Sequence, residues 1–275
     1  MRRLLVALAF FAVCGVALSF LLLPLVALFT HEPPGALLRQ LSNPVVGDAL
    51  VVSAKTSLVA QLVILAFGTP TAYLLARNRF RGRALLVTLV ELPIVLPPAV
   101  AGIGLLVAFG RVGLLGSTFS ALGIDVSFDQ AAVVLAVIFV AGPFYVRTAI
   151  AAFEAVDADL IMASRTLGAG PARTFFRIVL PLAGGGLAAG AALSLARGLG
   201  EFGATIMFAG SLQGVTQTLP LAIYAEFDQN LNVALSIAAL LVVIAAAILL
   251  SLKLGSRWAS SRSHSRYRYG ITASS

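Results

Sequence analysis

The chain has 275 residues, of which 60% are hydrophobic and 11% charged, with a mean hydropathy of +1.01. Soluble domains are about one quarter charged, and so little polar surface cannot cover a globular core of this size, so composition excludes a soluble protein and puts the chain in a membrane. The 19 Lys and Arg against 11 Asp and Glu give a net charge of +8, which in a membrane protein reads as topology; no nucleic-acid partner is expected.

The first expected span, 4–29, carries no charge and follows Arg2 and Arg3. It is longer than the about 7–15 apolar residues of a signal peptide and long enough to cross a ~30 Å hydrocarbon core. Further spans are expected at 50–76, 84–109, 130–151, 178–207 and 231–252, giving an all-α polytopic protein of six transmembrane helices. The single cysteine, Cys14, lies in an apolar run and the two histidines in separate polar stretches, so neither a disulfide nor a metal site is expected.

Orientation follows from charge. With the N-terminus in the cytoplasm, inner segments hold Arg2, Arg3, Arg77, Arg79, Arg81, Arg83, Arg147, Arg165, Arg173, Arg177, Lys253, Arg257, Arg262, Arg266 and Arg268, fifteen of the 19 cations. Outer segments hold only Arg39 and Arg111. The positive-inside rule puts both termini in the cytoplasm. Three parts follow: 1–48 with the first helix and an outer loop, 49–254 as a five-helix core, and 255–275 as a basic, largely disordered tail beside membrane lipid.

Within the spans, Leu92-Pro93-Ile94-Val95-Leu96-Pro97-Pro98 cannot form an undistorted helix. Glu91 is expected to bond a neighbouring helix, and Lys55 to snorkel outward. On the fifth span Gly186, Gly190, Ser194 and Gly198 recur every four residues as a small-residue ridge, expected to pack in the core of a dimer. Catalytic residues are not found. The sequence has no HExxH, no GxSxG and no P-loop, since Ala54 stands before Lys55 where Gly is required. Any ATP used for transport must be bound by another chain.

The cytoplasmic segment 152–177 carries the strongest signal. Asp157 or Asp159 opens an amphipathic helix, where negative charge suits the helix dipole, and Gly168 to Pro171 reads as a stop and turn before a second helix enters the membrane. Two short helices at a fixed angle form a knob that fits a groove on a cytoplasmic partner. Ala163, Gly168, Ile178, Leu180 and Pro181 fall at the spacing of the EAA signature, and the chain here resembles the permease subunits of binding-protein-dependent ABC importers. Met162 stands where that family usually has Glu, and Ser164 where it has the second Ala. The coupling element then comprises Met162, Ala163, Ser164, Arg165, Thr166, Leu167, Gly168, Ala169, Gly170, Pro171, Ile178, Leu180 and Pro181.

The resemblance extends to the proline run at 92–98, to Phe109-Gly110-Arg111-Val112-Gly113-Leu114-Leu115-Gly116, to Gly200-Glu201-Phe202-Gly203-Ala204-Thr205, and to Thr216-Gln217-Thr218-Leu219-Pro220-Leu221-Ala222-Ile223-Tyr224. These stretches look like the molybdate permeases, with the sulfate and thiosulfate permeases as relatives and tungstate indistinguishable. The resemblance implies a type I ABC importer fold in a bacterial-type inner membrane. It also implies a homodimer, two cytoplasmic P-loop ATPase subunits holding ATP and Mg, and an extracytoplasmic oxyanion-binding protein. No cofactor is expected on this chain. A second reading is a transporter driven by an ion gradient.

A tetrahedral dianion needs weak, distributed stabilisation to move through a membrane. Ser194, Thr205, Ser211, Thr216, Gln217 and Thr218 offer it, or else simply bond helix carbonyls. Arg197 and Glu201, four apart on one helix face, are either a gate or a salt bridge closing the outer end of the fifth span.

Overall fold

The computed structural model describes residues 2–31, 34–121, 123 and 126–268, and all the regular structure among them is helical. Helix α1 (Arg2–His31) is apolar all round and exposed along most of its length, as a lipid-facing span is. After α2 (Pro34–Gln40), α3 (Pro44–Arg77) starts at Asn43, whose side chain accepts from the Val45 amide at 3.0 Å, with Pro44 in the first turn where its missing N–H costs nothing.

The proline run breaks the expected third span in two. Helix α4 (Arg83–Val95) and α5 (Pro98–Phe109) meet at 114°. Pro97 and Pro98 supply no amide to the preceding turn, so helix cannot continue past Val95. The pair still crosses the bilayer as one broken span. Arg83 at the start of α4 is bonded to Glu154 at the end of α7 (Gln130–Glu154), and Ala101 and Leu105 of α5 pack with Ala132 and Val133 at the other end of α7. With this pair the apolar helices make six spans.

Helix α6 (Gly116–Ala121) lies in the outer loop before α7, the most enclosed span, which packs against α3, α4, α5, α10 and α11. Its apolar residues close two cores. Tyr145, Ala149 and Phe153 meet Ile64, Leu75 and Val179 toward the cytoplasm, and Val133, Ala136 and Val140 meet Ala204 and Phe208 toward the outside.

The cytoplasmic segment holds α8 (Ala158–Thr166) and α9 (Pro171–Thr174). A π-helical turn, Phe175–Val179, joins α9 to α10 (Leu180–Leu199). Pro181 explains the widened turn: its ring and missing amide forbid the ordinary bond to the carbonyl four residues back, and the Leu180 amide donates five residues back to Phe175 instead.

The fifth span ends earlier than the sequence suggests. Helix α10 stops at Leu199, and Gly200 to Phe202 turns the chain into α11 (Gly203–Ala209), which lies against α5. A Cβ on Gly203 would stand 2.6 Å from Pro98 Cβ, and one on Gly102 2.7 Å from Met207 Cβ, so glycine is what permits this approach. Helix α12 (Leu219–Phe227) then precedes α13 (Leu231–Arg268). The helical backbone of α13 continues through 255–268, where a disordered tail was expected. That stretch contains no proline and a single glycine, so nothing in it breaks a helix already begun; residues 269–275 of the expected tail lie outside the described residues.

The small-residue ridge packs within the chain. Cβ atoms on Gly186, Gly190 and Gly198 would meet Ala152, Thr148 and Val137 of α7 at 2.5, 3.0 and 2.8 Å, an antiparallel register one helix face deep. The expectation of a dimer-core ridge therefore fails, because the small residues of α10 match a neighbour that the same chain supplies.

Candidate functional site

Two features form the site: a knob on the cytoplasmic side, and a buried polar seam above it. In the knob, Asp157 caps α8 by accepting from the Asp159 amide at 2.9 Å. At its far end Gly168 takes φ +82°, with the Leu167 amide donating to Ala163 and the Ala169 amide to Ser164, a left-handed C-terminal cap. Nothing lies within 4 Å of where a Gly168 side chain would begin, so backbone conformation rather than packing selects glycine.

Ser164 does not face a partner. It is buried and shares a hydrogen bond with Thr174 at 3.2 Å, locking α8 to α9. The Thr166 hydroxyl is turned back on the Met162 carbonyl at 3.0 Å. Ala163, Arg165, Gly170 and Pro171 are exposed, Ala169, Ile178 and Leu180 half-buried, and Pro181 exposed at the foot of α10.

Beside the exposed Arg165, large apolar side chains project outward. Leu167 is 88% exposed, Met162 57% and Leu160 47%, a patch on a cytoplasmic knob that water disfavours and a protein groove would cover. The coupling element read from the sequence included Met162 and Leu167 and left out Leu160.

The knob is tied to the bundle by arginines that the motif did not include. The Arg77 guanidinium at the end of α3 donates to the Val156 carbonyl at 2.9 Å, next to the cap of α8. Arg83 donates to the Leu75 carbonyl at 2.6 Å and pairs with Glu154. A second pair joins the same helices higher up, Glu91 of α4 with Arg147 of α7 at 3.4 Å, giving Glu91 the neighbouring-helix partner expected for it.

The polar seam begins at Ser194, which is fully buried and donates to Gln61 Oε1 and the Ala191 carbonyl, both at 3.0 Å. Arg197 pairs with Glu201 at 2.8 Å, and the other Glu201 oxygen accepts from the Ala204 amide at 2.8 Å, so one buried carboxylate closes α10 and opens α11. Gly198 lies opposite Val137, seven residues inside α7, about 10 Å below its outer end.

Thr216 accepts from the Leu212 amide at 2.9 Å and closes the α11–α12 loop, while Ser53 of α3 accepts from the Leu219 amide at 2.8 Å and anchors α12. Gln217 reaches Ser211 at 3.4 Å. Among the described residues the side-chain oxygens of Thr205, Gln217 and Thr218 and the amide nitrogen of Gln61 are buried without a hydrogen-bond partner. No group of His, Cys, Asp or Glu able to hold a metal occurs among the described residues.

A broken third span, a capped cytoplasmic knob and a polar seam inside a six-span bundle are the parts of a transport permease. Residues 68–260 match the family of binding-protein-dependent transport system inner membrane components, and the chain belongs to it. Over 239 residues it is 42% identical to the molybdenum transport system permease protein ModB of Mycobacterium tuberculosis, covering 87% of this chain and 90% of that one. It is 34% identical over 255 residues to the sulfate transport system permease protein CysW of Synechocystis, covering 92% and 91%. Its fold matches a chain of a bacterial alginate ABC transporter solved with an alginate pentasaccharide-bound periplasmic protein, with a TM-score of 0.72 over 93% of this chain and 95% of that one at 17% identity.

Proposed function

We propose that this chain is the membrane half of an ATP-driven importer of molybdate, with tungstate an alternative cargo of the same shape and charge. Two copies form the pore. Two cytoplasmic P-loop ATPases bind ATP and Mg and dock on the knobs, and an external oxyanion-binding protein delivers the anion. The observation that carries the reading is the knob itself: a capped helix pair with Leu160, Met162 and Leu167 exposed below a membrane bundle has a built surface for a cytoplasmic partner, and the similarity to molybdenum transport permeases supports the cargo.

When the ATPases close, the knob moves as a unit because Ser164 and Thr174 lock it. Its motion reaches α10 through α9, and α3 through Arg77. Along the pathway the unpartnered Thr205, Gln217 and Thr218 atoms give the anion weak contacts that do not trap it.

The test is uptake of radiolabelled molybdate by cells expressing the chain with its ATPase and binding protein, against excess tungstate, sulfate or chloride. Competition by tungstate alone fits the proposal. Stronger competition by sulfate would make the cargo sulfate, and uptake that persists without any P-loop ATPase in the purified complex would refute the ATP-driven reading.

A further inference from the structure

The Glu91–Arg147 pair stands in a place where the membrane should not allow it. Arg147 is seven residues above the cytoplasmic end of α7 and Glu91 eight residues above the start of α4, about 10–12 Å along each helix. Their side chains are 67% and 37% exposed on the single chain. Charges at such depth are expensive against lipid and face a water-filled cavity or another protein surface instead.

The surroundings are mixed, with Val95 exposed one turn above Glu91 and small or polar side chains below. Thr88 lies one turn from Glu91 on α4, and Ala151 and Glu154 one and two turns from Arg147 on α7, all exposed. A lipid-facing surface in this protein looks different: along α1 the exposed side chains include Val6, Phe10, Phe11, Val13, Phe20 and Leu23, with no charge from 4 to 29. At 3.4 Å the ion pair is loose, and below it the Arg83–Glu154 pair holds the same two helices together, so the upper pair is not needed for that purpose.

We propose that this face of α4 and α7 lines the water-filled cytoplasmic half of the pathway, and that Arg147 is its anion contact. Glu91 is the built-in competitor. An oxyanion arriving from above displaces the carboxylate from Arg147, and the carboxylate then displaces the oxyanion toward the cytoplasm, so the cation attracts without holding. The inference deepens the proposed oxyanion import and rests on it for the cargo, but not for the cavity.

The experiment uses the full transporter in inverted membrane vesicles with Cys14→Ser as background. Thr88→Cys leaves both charges in place and should react with a charged, membrane-impermeant thiosulfonate, while Val13→Cys on α1 should not. Millimolar molybdate should slow the Thr88→Cys reaction. In vesicles loaded with binding protein and molybdate, Arg147→Cys should lower ATP-driven release to the medium about 10- to 100-fold, the loss of one charge-assisted hydrogen bond, and aminoethyl thiosulfonate, which restores a cation, should recover it where the sulfonate reagent does not.

An unreactive Thr88→Cys would put this face against lipid or the second copy and overturn the cavity. Reaction unaffected by molybdate, tungstate and sulfate alike would overturn the anion contact, as would full ATP-driven release by Arg147→Gln. If wild-type vesicles release no molybdate yet sulfate slows the reaction, the cavity and Arg147 stand and only the proposed cargo fails.

Discussion

Substituting Gly186 by Ala tests whether the ridge is an intrachain joint. The new methyl would sit 2.5 Å from the Ala152 Cβ, where carbon atoms settle at about 3.5–4.0 Å. Neither atom can rotate away, since both are fixed to helical backbone, so α10 and α7 must part by about 1 Å. Overpacking of this kind costs about 1–3 kcal/mol, and the rigidity of both atoms argues for the upper end, offset by about 1 kcal/mol of helix propensity gained over glycine. A net loss of about 2 kcal/mol follows from those two terms. Ala152→Gly in the same chain vacates the space. The double variant should therefore recover most of the loss, with a coupling of about 2–3 kcal/mol in a double-mutant cycle. Unfolding of the purified protein in mixed micelles measures each variant. If Gly186→Ala is as stable as the parent, or Ala152→Gly fails to rescue it, α10 and α7 are not held in the register described.

Glu201→Ala should destabilise the protein by about 3 kcal/mol, because it strands a partly buried Arg197 and the Ala204 amide; pairing it with Arg197→Met should recover part of that, as read by thermal unfolding in detergent. Gly168→Asp should insert at near-parental levels, since its side chain meets open space and only the φ +82° conformation is penalised, by about 1 kcal/mol, while ATPase co-purification and uptake fall; unchanged co-purification would remove the knob from the docking surface. Leu167→Asp should lower co-purification with no loss of stability, as an exposed apolar contact would. With Cys14→Ser as background, Gly35→Cys should react with an impermeant reagent on intact cells and Phe80→Cys only after permeabilisation; the reverse would invert the topology.

The spans were legible because long uncharged runs have few alternatives, and the knob because Asp157, Gly168 and Pro171 are each residues that a cap or turn requires. The end of the fifth span was not. Arg197 and Glu201 at a spacing of four look like one more helical turn, and only the structure shows that the Glu201 carboxylate caps α11 after the chain has turned at Gly200. The ridge had the right periodicity and the wrong partner. A repeat of small residues states that something comes close, and the identity of that neighbour depends on Thr148 and Ala152, whose place opposite it is set by the tertiary register. In the docking segment the sequence placed Ser164 and Leu167 in one coupling element; that Ser164 is turned inward and Leu167 outward cannot be read from a residue's type.

The π turn at Phe175–Val179 also sets an angular phase. One additional residue in a turn rotates everything beyond it by about 100° relative to a regular helix. On one side of that turn Thr174 must point at Ser164; on the other Gly186 must point at α7. Both contacts are met by a single rod only because of the inserted residue, which acts as the vernier between the cytoplasmic knob and the bundle. Chain length through this stretch is consequently more tightly constrained than the chemical identity of its side chains, and a one-residue deletion would yield a more regular helix whose two ends no longer face their partners together.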